Sequence, residues 1–202
     1  MDTWKDLTAR LDARLEAASP GERGVFAAGV AERLMGWHEA LPEDERAAFT
    51  LGLRPLLHAV WEGVLGDPEA YVAVNRGLAE FMLSAYCHVD RLVGPEDAYE
   101  PAAAATLHAA RAYVFGCADF AVWAGRRAID DRHLEHIAGV GLEDGDPLDT
   151  DSALIDELKR QLRDLDLIAA RAKELRHARF GLPLATSERL RAELRTPLSR
   201  RD

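Results

Sequence analysis

Apolar side chains recur every three to four positions along almost the whole chain, which is the spacing of one face of an α-helix. Trp4, Leu7, Leu11 and Leu15 make the first stripe, with Thr3 placed to cap it. Ser19-Pro20-Gly21-Glu22 reads as a restart signal: serine at the N-cap, proline at the first helical position, and glutamate three residues after the serine to close a capping box. The helix it opens carries Phe26, Val30, Leu34 and Trp37 on one side and ends near Leu41-Pro42. Leu56, Leu57, Val60, Trp61 and Val64 predict another helix, closed by Gly66, and Asp67-Pro68-Glu69 restarts the chain. From Leu78, the stripe Phe81, Met82, Ala85, Tyr86, Val89 and Leu92 predicts a strongly amphipathic helix as far as Gly94-Pro95.

Pro101 opens an alanine-rich segment whose small side chains let neighbouring backbones approach closely. Gly116 marks a bend or break before Phe120, Val122, Trp123 and Ile129, and Asp130 to Ile137 reads as the last turns of that helix or a separate short one. Gly139 to Asp151, with three further loop-forming residues and five acidic ones, is the clearest loop. The stripe Leu154, Ile155, Leu158, Leu162, Leu165, Ile168, Ala169, Ala172 and Leu175 predicts the longest helix, terminated by Gly181, and Thr186 caps a short last one through Leu194. No run alternates at strand spacing and no segment repeats at a fixed period. The expectation is an all-α fold, a compact bundle of seven to eight helices. Residues 1–181 form a single helical domain, and 182–202 a short basic tail or appendage, weakly apolar and the most mobile part.

Composition narrows the class. A chain of 202 residues, 48% of them hydrophobic, can bury roughly 70% of its unfolded surface and needs neither disulfides nor metal to hold a core. Cys87 and Cys117 lie 30 positions apart with no C-x-x-C pair, which reads as two buried, reduced thiols. No window approaches the ~18–20 apolar residues that span a bilayer. The opening Met1-Asp2-Thr3-Trp4-Lys5 lacks a basic stretch followed by an apolar run, so a cytoplasmic location without membrane contact is expected. Net charge is −10 and unevenly spread: residues 1–158 carry 13 basic and 29 acidic side chains, residues 159–202 carry 12 and 6. An acidic body of this kind argues against nucleic acid as a partner, because phosphate neutralisation needs a basic face. The basic tail can meet an acidic partner or fold back on its own body, and the second needs nothing beyond this chain.

Sequence signatures of chemistry are sparse. The chain holds no phosphate-cradling glycine loop, no nucleophile elbow and no H-E-x-x-H pair, and no cofactor is expected. The acidic run Glu143 to Asp151 fails as a calcium loop, because placing Gly145 at the sharp turn puts Val140 and Leu142 at ligand positions. His133 and His136, with Asp130 one turn earlier, are spaced to put two imidazoles and a carboxylate on one helix face, a candidate metal trio that still lacks a fourth ligand. Arg54, His58 and Glu62 make an i,i+4 ladder. Asp119, between Cys117 and Phe120, would need Arg111, Arg126 or Arg127 as partner if buried. Trp37, Trp61 and Trp123 read as core before ligand box.

Several segments carry a resemblance. Phe26-Ala27-Ala28-Gly29-Val30-Ala31-Glu32-Arg33-Leu34 resembles the aromatic–small–Ala-Glu-Arg opening helix of the YjaG-like bacterial family, and Leu57-His58-Ala59-Val60-Trp61-Glu62 resembles its Leu-x-x-Ile/Val-Trp-Glu helix. Tyr99-Glu100-Pro101-Ala102-Ala103 is similar to its tyrosine–proline–alanine start of a middle helix, with Glu100 inserted, and Glu157 through Leu165 to its penultimate helix without the usual tryptophan. The similarity spans roughly residues 22–170 and implies an all-helical fold of this size. It brings no catalytic residues, because the family is a domain of unknown function.

With no catalytic constellation in view, the expected function is that of a non-enzymatic protein-interaction protein, of adaptor or immunity type. Its acidic helical surface suits a basic partner, and homodimerisation through an alanine-rich or leucine-striped helix is compatible with it. The alternative is a metal-binding or small-ligand-binding helical bundle, with enzymatic activity open.

Overall fold

In the computed structural model, which describes residues 3–84, Cys87, 100–140 (131–140 by backbone alone) and 152–200, every regular element among the described residues is helical. In chain order these are α1 (Trp4–Ala17), α2 (Pro20–Ala40), a 3₁₀ turn (Glu43–Glu45), α3 (Ala48–Gly52), α4 (Arg54–Val64), α5 (Ala70–Leu83), α6 (Pro101–Phe115), α7 (Ala118–Val140), α8 (Ser152–Ala169), α9 (Ala172–Ala178) and α10 (Leu184–Leu190). A π-helical turn (Arg191–Arg195) carries α10 into the short α11 (Thr196–Leu198). The fold is all-α. Nine helices of seven residues or more lie among the described residues, so the expected seven to eight is an undercount.

Local signals set the boundaries. Thr3 Oγ1 accepts the Asp6 backbone N–H at 3.2 Å while the Asp6 carboxylate accepts the Thr3 N–H at 3.3 Å. Ser19 and Glu22 exchange the same reciprocal pair at the start of α2. Each such cap is worth about 1 kcal/mol. Gly116 ends α6 in the left-handed conformation, with φ of 71°, which a side-chain-bearing residue adopts only at a cost. The helix expected to run from Leu78 to residue 92 stops earlier: Ser84 is extended, and its hydroxyl donates to the Phe81 carbonyl at 2.7 Å. The rest of that stripe lies outside the described residues, as does the acidic loop from residue 141 to 151.

The long helix expected as far as Gly181 is two helices, and this accounts for the undercount. The chain turns at Ala170-Arg171 and lays α9 against α2, burying Leu175 and Ala178. Gly21 makes the approach possible, since a Cβ there would lie 2.0 Å from the Leu175 carbonyl oxygen.

The centre is the pair α2 and α6. α2 buries 13 of its 21 residues and α6 buries 12 of its 15, so neither has a solvent face over most of its length. The one-sided stripe expected in α2 therefore understates it. Glycine and alanine explain the close fit: a Cβ on Gly24 would lie 2.8 Å from Val64, and one on Gly29 would lie 3.1 Å from Leu198. Around this pair stand α4, α7, α8 and α9, with α1 against α8, while α5 packs chiefly on α4 and α6.

The C-terminal segment belongs to this core. Leu190, Leu194 and Leu198, spaced four apart, are all buried, and Leu198 seats over Gly29. Arg191 and Arg195 both reach the Glu62 carboxylate, and the Arg195 guanidinium lies 5.6 Å from the Trp61 ring centre. The fold-back of the basic tail onto the acidic body is thus made through Glu62. Beneath this C-terminal strap, from α10 through α11, is a buried polar network. Arg33, 1% exposed, donates to Asp164 at 2.7 Å, to the Leu198 carbonyl at 3.0 Å and to Glu157 at 3.4 Å. Gln161 donates to Glu157 at 2.8 Å and to the Gly125 carbonyl at 3.0 Å. Burial pushes the Asp164 carboxyl above its ordinary value despite the Arg33 charge beside it.

Candidate functional site

α5 buries only three of its 14 residues. Ala70, Val74, Gly77 and Phe81, at i, i+4, i+7 and i+11, form its inner stripe, of which Ala70, Val74 and Phe81 are buried. Two residues further on at each step, and so about 200° around the helix, stand Val72, Arg76, Ala79 and Leu83. This outer stripe faces solvent: Val72 is 62% exposed and Leu83 83%. Tyr71 and Met82 flank it, both more than a third exposed. Burying a side chain of this size is worth about 1.5–3 kcal/mol, so leaving two of them on one outer stripe is a feature to explain. Apolar side chains scattered singly over a surface are ordinary, whereas a stripe at helical spacing matches the anchor pattern of a helix that meets another helix.

A groove of about 400 Å³ runs along one flank of this stripe, between α5 and the α3–α4 corner. Phe49, Leu53 and Leu56 form one wall, and Gly77, Phe81 and Ser84 the other. The Phe49 and Phe81 rings meet at 6.0 Å, inclined by 51°. Gly77 helps set the depth: a Cβ there would lie 2.8 Å from Leu56 Cδ1, so a larger residue would have to push the Leu56 side chain aside. Arg76 and Glu80 stand on the rim. They are i,i+4 neighbours, yet neither has an ion-pair partner among the described residues. Arginine preceding glutamate is the weaker order for an intrahelical pair, because each charge then opposes the helix dipole. The groove thus offers an apolar floor and one charge of each sign.

The residues singled out from sequence fall elsewhere. Asp130 is exposed on α7, and its carboxylate is 3.9 Å from Arg127. His133 and His136 lie on the same helix, but their side chains are outside the described residues, and so therefore is the geometry of the trio. Among the described residues no group of three or more His, Cys, Asp or Glu side chains is arranged to hold a metal ion. Asp119 is exposed, not buried, and needs no cation beside it. The Arg54–His58–Glu62 ladder is not formed as a unit. Arg54 turns to α2, donating to Glu39 at 2.7 Å and pairing with Glu32, whose other oxygen accepts the Trp61 indole N–H at 3.0 Å. Burial alone would lower the Arg54 guanidinium, but the two carboxylates outweigh it and hold it above its ordinary value. Glu62 is taken by the strap arginines, with His58 at 3.9 Å. Of the two thiols expected to be buried, Cys87 is buried and Cys117 exposed. Trp61 is core, whereas Trp123 is partly exposed.

One buried polar residue without a sequence signature is His108. It is fully buried in α6, and among the described residues neither ring nitrogen has a hydrogen-bond partner. Its ring packs 5.5 Å from that of Trp123. Burial first, then the Arg127 and Arg111 charges, depress it to about 3, so it is a neutral imidazole at any ordinary pH. No sequence signal sets it apart from the other six histidines.

No helix among the described residues is long and apolar enough to cross a membrane. Against known proteins, no family model, curated protein or solved structure matches the chain.

Proposed function

We propose that this chain is a non-enzymatic protein-interaction protein of adaptor or immunity type, working in the cytoplasm, whose docking face is the outer stripe of α5 with the groove beside it. The occupant is an amphipathic helix of a protein partner. The observation that carries this reading is the exposure of Val72 and Leu83 at helical spacing on a helix whose opposite face already fills the core. A helix-in-groove contact uses anchors at this spacing and gains most of its energy from a few desolvated apolar side chains. Membership of the YjaG-like family remains a proposal of the same kind. Its support is that Phe26, Val30 and Leu34 of one motif and Leu57, Val60 and Trp61 of the other are core residues of two helices that pack together.

The test is a photo-crosslinking amino acid placed in the cell at Ala79 and, as a control, at Lys159 on α8. Protein adducts concentrated at Ala79 and lost on Leu83→Glu support the reading. Equal adducts at both positions, or none, sink it. A second reading, a small-ligand site, is favoured by one observation: about 400 Å³ with an apolar floor and a few polar groups is the form of a ligand cleft. Native mass spectrometry of protein purified without a metal-affinity tag decides it, since a retained small molecule of fixed stoichiometry would displace the interaction reading.

A further inference from the structure

The outer face of α5 is self-complementary. Val72, Arg76, Ala79 and Leu83 span 12 residues, with the midpoint between Gly77 and Leu78. When two copies of α5 are laid antiparallel about a two-fold axis through that midpoint, Val72 of each meets Leu83 of the other. Arg76 of each then lies over Ala79 of the other, and its head reaches Glu80. A two-fold contact must satisfy this reciprocity, residue i on j and j on i, and this stripe does so with both charges paired twice. A parallel arrangement would set Arg76 against Arg76 and Glu80 against Glu80, which like-charge repulsion opposes. Ala79 at the crossing lets the axes approach, and the aliphatic stem of Arg76 covers it.

The charges decide the occupant. Arg76 and Glu80 have no ion-pair partner among the described residues, and their order along the helix is the weaker one for pairing with each other. Reversed in a second copy, they have partners of opposite sign at the rim of the same apolar contact. Resting on the reading of α5 as the docking face, we propose that the helix received there is α5 of a second copy, paired antiparallel around Ala79. One pair of 14-residue helices buries less than the ~1,200–2,000 Å² of a stable specific interface, so the dimer is reversible and concentration-dependent.

Sedimentation velocity of the full chain, on a concentration series reaching about 1 mM (a contact of only about 4 kcal/mol at that dissociation constant), tests this. The wild-type chain should pass from monomer to dimer, and Leu83→Glu, at an exposed position that leaves the fold intact by circular dichroism, should stay monomeric. Arg76→Glu and Glu80→Arg should each weaken association several-fold, and the double variant should restore it. A wild-type chain that stays monomeric overturns the proposal. So does a dimer indifferent to Leu83→Glu, or a double variant no better than the single ones. Adducts of Ala79 with a different protein, alongside a monomeric chain, would keep the docking face and remove only the second copy.

Discussion

His108 concentrates the cost of one residue in an unusual way. A buried donor or acceptor without a partner costs about 1–3 kcal/mol, and among the described residues this ring, packed on Trp123, finds a partner for neither nitrogen. Its titration adds a pH term. The ordinary imidazole value is 6.5 and the folded one about 3, so below pH 6.5 the unfolded chain takes up a proton that the folded chain refuses. Stability intact above pH 6.5 is therefore lost as the pH falls toward 3, by up to about 4–5 kcal/mol from this group. His108→Leu, close in volume and unable to titrate, should be at least as stable as the wild type at pH 7. Its urea midpoint should fall less steeply between pH 6.5 and 4. Parallel curves for the two proteins would refute the assignment.

At the scale of the element, the C-terminal strap sets apolar burial against ion pairing, and the magnitudes separate them. Arg191 and Arg195 reach Glu62 across a partly solvated surface, where such pairs contribute about 0–1 kcal/mol. Leu190, Leu194 and Leu198 are each buried, and removing such a side chain costs about 2–5 kcal/mol. Leu194→Ala should therefore lower unfolding free energy by at least about 2 kcal/mol, while Glu62→Gln should cost less than about 1 kcal/mol. Equal losses in denaturant titrations would mean that charge holds the strap. The apolar spacing of these leucines was visible in the sequence, but a stripe of three in a basic segment does not announce that it is core. Capping boxes and terminal glycines were legible because their physics is local: Thr3, Ser19, Gly116 and Gly181 each set a boundary with near neighbours. The turn at Ala170-Arg171 was not, since it serves the docking of Leu175 over Gly21, about 150 positions away. The groove was hidden for the same reason, because its walls come from residues 49–56 and 77–84 and only tertiary packing brings them together.

The whole molecule is tied by contacts that no periodicity carries. Asp119, a carboxylate set among apolar neighbours in the sequence, is exposed, while the buried charges among the described residues include Arg33, Arg160, Glu157 and the largely enclosed Asp164. Arg33 fits a stripe-breaking place in α2 that reads as a polar edge, and only the all-round burial of that helix makes it interior. From there it joins α2 to α8, 131 positions on, and to the Leu198 carbonyl, 165 positions on. Arg33 is the cation hydrogen-bonded to both carboxylates, with the Arg160 charge acting on Asp164 as well, so removing Arg33 leaves buried negative charge only partly compensated beneath the strap. Arg33→Met should cost about 3–5 kcal/mol at pH 7. Neutralising the acceptors as well, in Arg33→Met with Glu157→Gln and Asp164→Asn, should recover much of the loss, because the penalty is unpaired charge more than lost packing. The pH dependence has a definite sign. Burial already holds the Asp164 carboxyl above its ordinary value, and without Arg33 it rises further. The folded variant then takes up a proton before the unfolded chain does, so its deficit against the wild type should narrow as the pH falls from 7 toward 4. Chemical denaturation of both proteins at pH 7 and pH 4.5 measures this directly. A deficit that is constant or widens in acid would show that Arg33 acts through packing, and that the strap is not held over a charged core.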